Sequence, residues 1–94
     1  MEFDTVIHGG TLVTATETSK GDIGIRDGRI VALAESLPGG ERRIDAGGRL
    51  VMPGGIEAHA HIAQESSSGI MGADDYLSGS ISAAFGGNSS FIPF

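Results

Sequence analysis

Cysteine and tryptophan are absent from this chain, and lysine occurs once, as Lys20. Without cysteine there are no disulfides, no thiolate zinc sites and no thiol nucleophile, and the composition fits a reducing compartment. Basic residues number 6 against 12 acidic ones, for a formal net charge of -6 and a pI near 4.7. So few Lys and Arg side chains disfavour binding to a phosphate backbone, and nucleic acid is not an expected partner. No apolar run approaches the ~20 residues that span a membrane, and the start, Met1-Glu2-Phe3-Asp4, is acidic where a signal peptide is basic. A soluble, cytoplasmic chain with no membrane partner is expected. Its 94 residues, 39% of them hydrophobic, suffice for one small domain but cannot hold a large enzyme fold.

What is plentiful is glycine, 16 residues in all, and it cuts the first half into short strand-like pieces. Phe3 to His8 is a β-rich run that ends at Gly9-Gly10, and Thr11 to Thr14 resumes it, which predicts a pair of short strands. Ile23 and Ile25 alternate with Asp22, Gly24 and Arg26 ahead of Asp27-Gly28, a dipeptide suited to the positive φ angles of a tight hairpin. Arg29 to Ala34 is the returning strand. Pro38-Gly39-Gly40 reads as a loop, Ile44 to Ala46 as a short strand, and Gly47-Gly48 as a turn before Arg49 to Met52. Residues 1–52 are thus expected to form a small antiparallel β unit.

From Pro53 the pattern changes. In "GGIEAHAHI", residues 54–62, the apolar Ile56, Ala58, Ala60 and Ile62 alternate with Glu57, His59 and His61, so a strand would put the three polar groups on one face. The Ser- and Gly-rich stretch from Gln64 to Ala73 reads as a loop. Asp74 or Asp75 can then cap a helix with Leu77, Ile81, Ala84 and Phe85 at helical spacing, closed by Gly86-Gly87. Asn88 to Phe94 is a further strand. This order makes a βαβ unit with its two strands parallel.

In a parallel barrel the outward face of a strand packs on helices and is apolar, as Ile56, Ala58, Ala60 and Ile62 are; the lumen face would then carry Glu57, His59 and His61. Such a face costs desolvation unless something compensates, and a divalent cation would, since imidazoles two residues apart can converge on one metal. An antiparallel strand with one wet face gives the same alternation, and HxH arises often by chance, so spacing leaves both readings open. His8 has no metal partner nearby in sequence and reads as structural or surface. Glu35, Glu41 and Asp45 fit solvated turns. Ser66-Ser67-Ser68 lacks an adjacent base and reads as loop rather than nucleophile.

Four segments in order, "FDTVIHGGTLVTATE", "DIGIRDGRIVALAESLP", "RIDAGGRLVMPGGIEAHAHI" and "DDYLSGSISAAFGGNSSFIPF", are spread along the chain from Phe3 to Phe94. Together they resemble the amino-terminal part of the cyclic amidohydrolases, closest to the hydantoinase and dihydropyrimidinase group. The resemblance implies an α/β fold with a β domain: a small β-sandwich segment over residues 1–52, then the first strand, loop, helix and second strand of a metal-dependent (β/α)8 barrel over residues 53–94. It implies His59 and His61 as ligands of the more buried metal in a binuclear centre, usually Zn²⁺. Glu57 becomes a carboxylate behind those ligands. The implied reaction is hydrolytic opening of a cyclic amide or ureide such as a hydantoin or dihydropyrimidine, by a protein expected to be a homo-oligomer when complete.

The family pattern also calls for a carboxylated lysine, two further histidines and a late-strand aspartate, all downstream of Phe94. Lys20 matches none of these, and no catalytic residue is assigned within these residues. Glu57 stands where the pattern commonly has Asp, and Ala63 where it often has Asp after the second histidine. A complete barrel takes about 250 residues, so the chain reads as a truncated amino-terminal segment, inactive alone. The rival readings are a non-catalytic dihydropyrimidinase-like scaffold, against which the retained His59 and His61 count, and a small β-domain that binds a partner, which leaves the helix and last strand without a purpose.

Overall fold

The computed structural model describes residues 2–60, 62, 69, 72 and 75–93. The chain divides into two compact units, Met1–Pro53 and Gly54–Phe94, and the described residues are mostly β-sheet with one helix.

In the first unit β1 (Thr5–Val13) is central. It pairs antiparallel with β2 (Thr18–Arg26), and β2 pairs antiparallel with β3 (Arg29–Ala34). On its other side β1 pairs with β4 (Arg42–Asp45) along Thr5 to His8 and with β5 (Leu50–Val51) along Thr11 and Leu12, both parallel. The β2–β3 turn has positive φ at both Asp27 (52°) and Gly28 (73°), as a type I′ hairpin requires. The Asp4 carboxylate accepts the Asp27 N–H at 2.8 Å and holds the turn.

Two expectations need correction. Gly9-Gly10 does not end a strand. Ile7 pairs with Ile23 and Gly10 with Gly21, three steps on β1 against two on β2. The extra residue is absorbed as a bulge with Gly9 at φ 73°. Nor is the unit purely antiparallel: β3 and β4 run the same way on opposite sides of the β1–β2 pair, so residues 35–41 must cross the sheet. They pass over Val6, which is wholly buried; a Cβ added at Gly40 would meet Val6 Cγ2 at 2.9 Å. Arg43 Nη1 ties this crossing down by donating to the carbonyls of Leu37 (3.1 Å) and Gly39 (2.7 Å).

Asp22 is the buried acid of the unit, 5% exposed. Its Oδ1 accepts the Gly9 N–H of the bulge at 2.9 Å, and its Oδ2 accepts the Leu37 N–H of the crossing segment at 2.8 Å. The Gly9 N–H, then the Leu37 N–H, hold its pKa below the ordinary 3.8; burial opposes this, and the nearby His8 and Arg43 charges add to it. The apolar core of the unit comprises Phe3, Val6, Leu12, Ile23 and Ala46. The Phe3 ring lies against Gly24, where an added Cβ would fall 2.5 Å from the ring's Cε1.

In the second unit β6 (Gly55–Ala60) and β7 (Asn88–Pro93) pair in parallel, connected through α1 (Tyr76–Phe85). Asp75 caps the helix: its Oδ1 accepts the Ser78 N–H at 2.8 Å and Ser78 Oγ accepts the Asp75 N–H at 3.1 Å, a reciprocal capping box that also holds the Asp75 pKa down. Asp74 and Phe94 lie outside the described residues. Gly87 closes the helix at φ 88°, and its carbonyl accepts the Gly55 N–H at 2.9 Å.

The helix does not pack through its expected face. Leu77 and Phe85 are 71% and 91% exposed, and Gly79 is the buried helical residue. A Cβ at Gly79 would lie 3.0 Å from Ile62 Cδ1 and Cγ2, so the helix backbone itself rests on Ile62. Bare backbone permits an approach that Leu or Ile would block. Of the apolar set expected to pack on the helix, Ile62 is buried, whereas Ile56 is 67% exposed.

Two stability tests follow from these contacts. Asp22→Ala removes the acceptor for two backbone donors and should cost about 2–4 kcal/mol in urea unfolding. Because the folded-state pKa is depressed, the contribution of Asp22 is present above pH 3.8 and is lost as pH falls through the folded value; the acid limb of the stability profile should therefore be shallower in the variant. Gly24→Ala drives a methyl into the Phe3 ring and should cost about 1–3 kcal/mol. In a Phe3→Ala background the same change should cost clearly less, which a double-mutant cycle reads directly.

Candidate metal-binding strand

β6 carries the residues singled out for metal chemistry. Gly54 and Gly55 admit its start: a Cβ at Gly55 would meet Asn88 Oδ1 at 2.6 Å, so the two strands begin in close apposition. Along β6, Glu57 pairs with Phe91 and Ala60 with Pro93, three steps against two, and the register shifts between them. His59 sits inside this irregular stretch. Glu57 and His59 are both exposed, and Glu57 Oε1 accepts the His59 backbone N–H at 3.2 Å.

The strict two-residue alternation that would align Glu57, His59 and His61 is therefore interrupted at Ala58–His59. His61 lies outside the described residues, as do Ala63 and Ser66, Ser67 and Ser68. No group of three or more His, Cys, Asp or Glu side chains poised to hold a metal occurs among the described residues. Imidazole and carboxylate on one strand are nonetheless donors that suit a divalent first-row cation such as zinc.

The other polar residues are placed by the first unit. His8 is half-buried on β1, opposite Asp45 of β4. Asp45 Oδ1 accepts the Gly47 N–H at 2.8 Å, which makes it a turn residue, and Glu35 and Glu41 are exposed. Lys20 is exposed on β2 opposite Thr11. A cleft in this unit is lined by Glu2, Asp4, Asp27, Glu41 and Arg26; it offers carboxylates without an imidazole, and one of them, Asp4, is engaged in holding the hairpin. Sequence reasoning missed Asp22, the most constrained acid described. Its only signal was a charged residue between Gly21 and Ile23 in a strand otherwise headed for the core. No helix among the described residues is long and apolar enough to cross a membrane.

No family model matches the chain. Comparison with individual proteins is more informative. The chain is 41% identical over 91 residues to a D-hydantoinase of Ralstonia pickettii, covering 97% of this chain and 20% of that protein. Among solved structures, a D-hydantoinase superposes with a TM-score of 0.91 at 40% identity, over 98% of this chain and 20% of the other. A dihydropyrimidinase from Brevibacillus agri gives 0.88 at 35% identity, over 96% and 20%. An N-acyl-D-glutamate deacylase from Bordetella bronchiseptica, solved with zinc and a phosphonate mimic of its tetrahedral intermediate, gives 0.60 at 36% identity over 65% of this chain and 14% of that one. The chain thus spans about one fifth of the length of the relatives it matches. By sequence and by fold it belongs with the hydantoinase and dihydropyrimidinase group of cyclic amidohydrolases, matching the amino-terminal segment of its members.

Proposed function

We propose that this chain supplies the first metal-binding strand of a hydrolase that opens cyclic amide or ureide rings, hydantoins or dihydropyrimidines being the substrate class. The observation that carries the reading is that 97% of this chain matches one fifth of a D-hydantoinase, together with a histidine-bearing strand, β6, paired in parallel with β7 through a helix. On this reading residues 53–94 are the opening βαβ unit of a (β/α)8 barrel, and residues 1–52 belong to a β-sandwich domain. A cytoplasmic, homo-oligomeric complete protein is part of the same proposal.

His59 and His61 would be the metal ligands, with Glu57 behind them. Support for zinc comes from the deacylase neighbour, which was solved with that metal. A divalent cation supplies two things to amide hydrolysis, a lowered pKa for water and polarisation of the scissile carbonyl. Ring opening adds water across the C–N bond: the carbonyl carbon takes the hydroxyl, the bond to nitrogen breaks, and the nitrogen leaves with a proton delivered by a general acid. That acid is not assigned to any residue of this chain. The contribution of β6 is to carry His59 on a strand paired with β7.

The test places this segment in a full-length hydantoinase-type chain in exchange for its own. His59→Ala or His61→Ala should remove most bound metal and reduce ring opening at least ~100-fold, since even partners outside the ligand set cost 10–100-fold. His8→Ala should change neither quantity. Metal analysis and a ring-opening assay on the three variants decide the matter, and full activity in His59→Ala would overturn the ligand assignment.

The isolated 94-residue chain is expected to be inactive, because two imidazoles from one strand are too few to organise a binuclear site. It should also self-associate. Leu77, Phe85, Ile56 and Ile92 are more than half exposed, and they lie on or beside a two-stranded sheet. Light scattering should report species larger than a monomer, and assays with added zinc should show no ring opening. A compact monomer with chelator-sensitive turnover would contradict both expectations.

A further inference from the structure

We infer that Glu57 is a positioning residue: its carboxylate braces the bulged backbone of β6 at His59 and thereby sets where the His59 imidazole stands. The inference rests on the hydrolase reading above and specifies how Glu57 would act within it.

Two independent features of the strand meet at this point. The first is the register, in which Glu57 to Ala60 on β6 spans three steps while Phe91 to Pro93 on β7 spans two. An inserted residue of this kind leaves the ladder locally incomplete, bends the strand and re-aims the side chain beside it. Pro93, opposite Ala60, has no N–H to give the ladder, so β7 cannot restore regular pairing at that end. The second feature is the bond from the His59 N–H to Glu57 Oε1 at 3.2 Å.

In a regular strand the side chain of residue i stands off the sheet while the N–H of residue i+2 lies in its plane, so a carboxylate does not ordinarily reach its own second neighbour's amide. Here it does, through a side chain long enough to fold back along the strand. The bond ties the two residues on either side of Ala58 and limits the φ and ψ freedom of the segment that carries His59. A bulge without such a tie could settle in several ways, each pointing the imidazole differently. The carboxylate therefore acts on the backbone under the ligand, a different task from accepting a ring N–H.

The experiment uses the same full-length hydrolase carrying this segment, with Glu57→Ala, Glu57→Met and Glu57→Gln. Met keeps the length of the stem without an acceptor, and Gln keeps an acceptor oxygen without the charge. Two quantities are read: amide exchange of the peptide containing His59 in the metal-free protein, and the zinc dissociation constant by competition with a chelator. Ala and Met should speed exchange at His59 at least ~10-fold and weaken zinc 10–100-fold, the scale of lost supporting contacts. Gln should stay within about threefold of the parent in both, because its amide oxygen can accept the same N–H. Unchanged exchange in Ala and Met overturns the brace, and a Gln variant as impaired as Met overturns the hydrogen bond as its means. If the Ala variant does not fold, the Met and Gln pair decides alone. Failure of the hydrolase reading shows differently, as a parent protein that binds no zinc; this removes the ligand and so overturns the positioning role, whatever the exchange rates.

Discussion

One buried carboxylate organises the first unit. Asp22 lies opposite Ala34, where the chain leaves β3. One of its oxygens holds the Leu37 N–H of the segment that then crosses the sheet, and the other holds Gly9, in the bulge of the central strand. The bulge separates the stretch of β1 that receives β4 from the stretch that receives β5. A single side chain therefore links the route of the crossing to the point where one parallel partner ends and the next begins. At 5% exposure water cannot readily substitute for it, and two amides left without an acceptor would each carry a desolvation penalty.

The close approaches elsewhere depend on missing side chains. Gly24 gives the Phe3 ring its seat, and Gly40 lets the crossing segment descend onto Val6. At Gly10 an added Cβ would fall 2.6 Å from Val51 Cγ2, which is how β5 approaches β1. Gly79 lets α1 rest on Ile62. At Gly24, Gly10 and Gly79 the glycine matters for the volume it leaves to a neighbour, and at Gly40, with φ at 89°, for its backbone conformation as well. The high glycine content of the sequence is in this sense a packing feature as much as a turn signal.

This explains which parts of the fold were legible in the sequence. The Asp27-Gly28 hairpin is decided by the dihedrals of its two turn residues, and the Asp75 cap and the Gly86-Gly87 stop by hydrogen bonds within a few residues, so each lies where local chemistry put it. The continuity of β1 was not legible, because Gly9-Gly10 looks the same whether it ends a strand or bulges within one; the decision belongs to Asp22, 13 residues away. The parallel entry of β4 and β5 was hidden for a similar reason, since nothing local distinguishes a return from a crossing. The helix face was misread because periodicity finds apolar side chains, whereas the packed position is the one with no side chain. At the candidate site the histidine-bearing strand was legible, but the interruption of its alternation was not, because it arises from pairing with β7.

Two of the strand irregularities, those at Gly9 and at His59, are alike in one respect. In each, a carboxylate accepts the N–H of an irregular strand: Asp22 takes that of Gly9 at 2.9 Å, and Glu57 takes that of His59 at 3.2 Å. The first bond comes from another strand and is sheltered, so it contributes to stability and its loss is not repaired by solvent. The second comes from within its own strand and is exposed. Water competes for both of its ends, and its contribution to stability must be small. Its value lies instead in the narrow set of backbone angles compatible with it, and that value rises as the surroundings dry, because a hydrogen bond to a charged acceptor strengthens when water is excluded. Enclosing β6 would thus convert a weak local tie into a firm constraint on the backbone at His59.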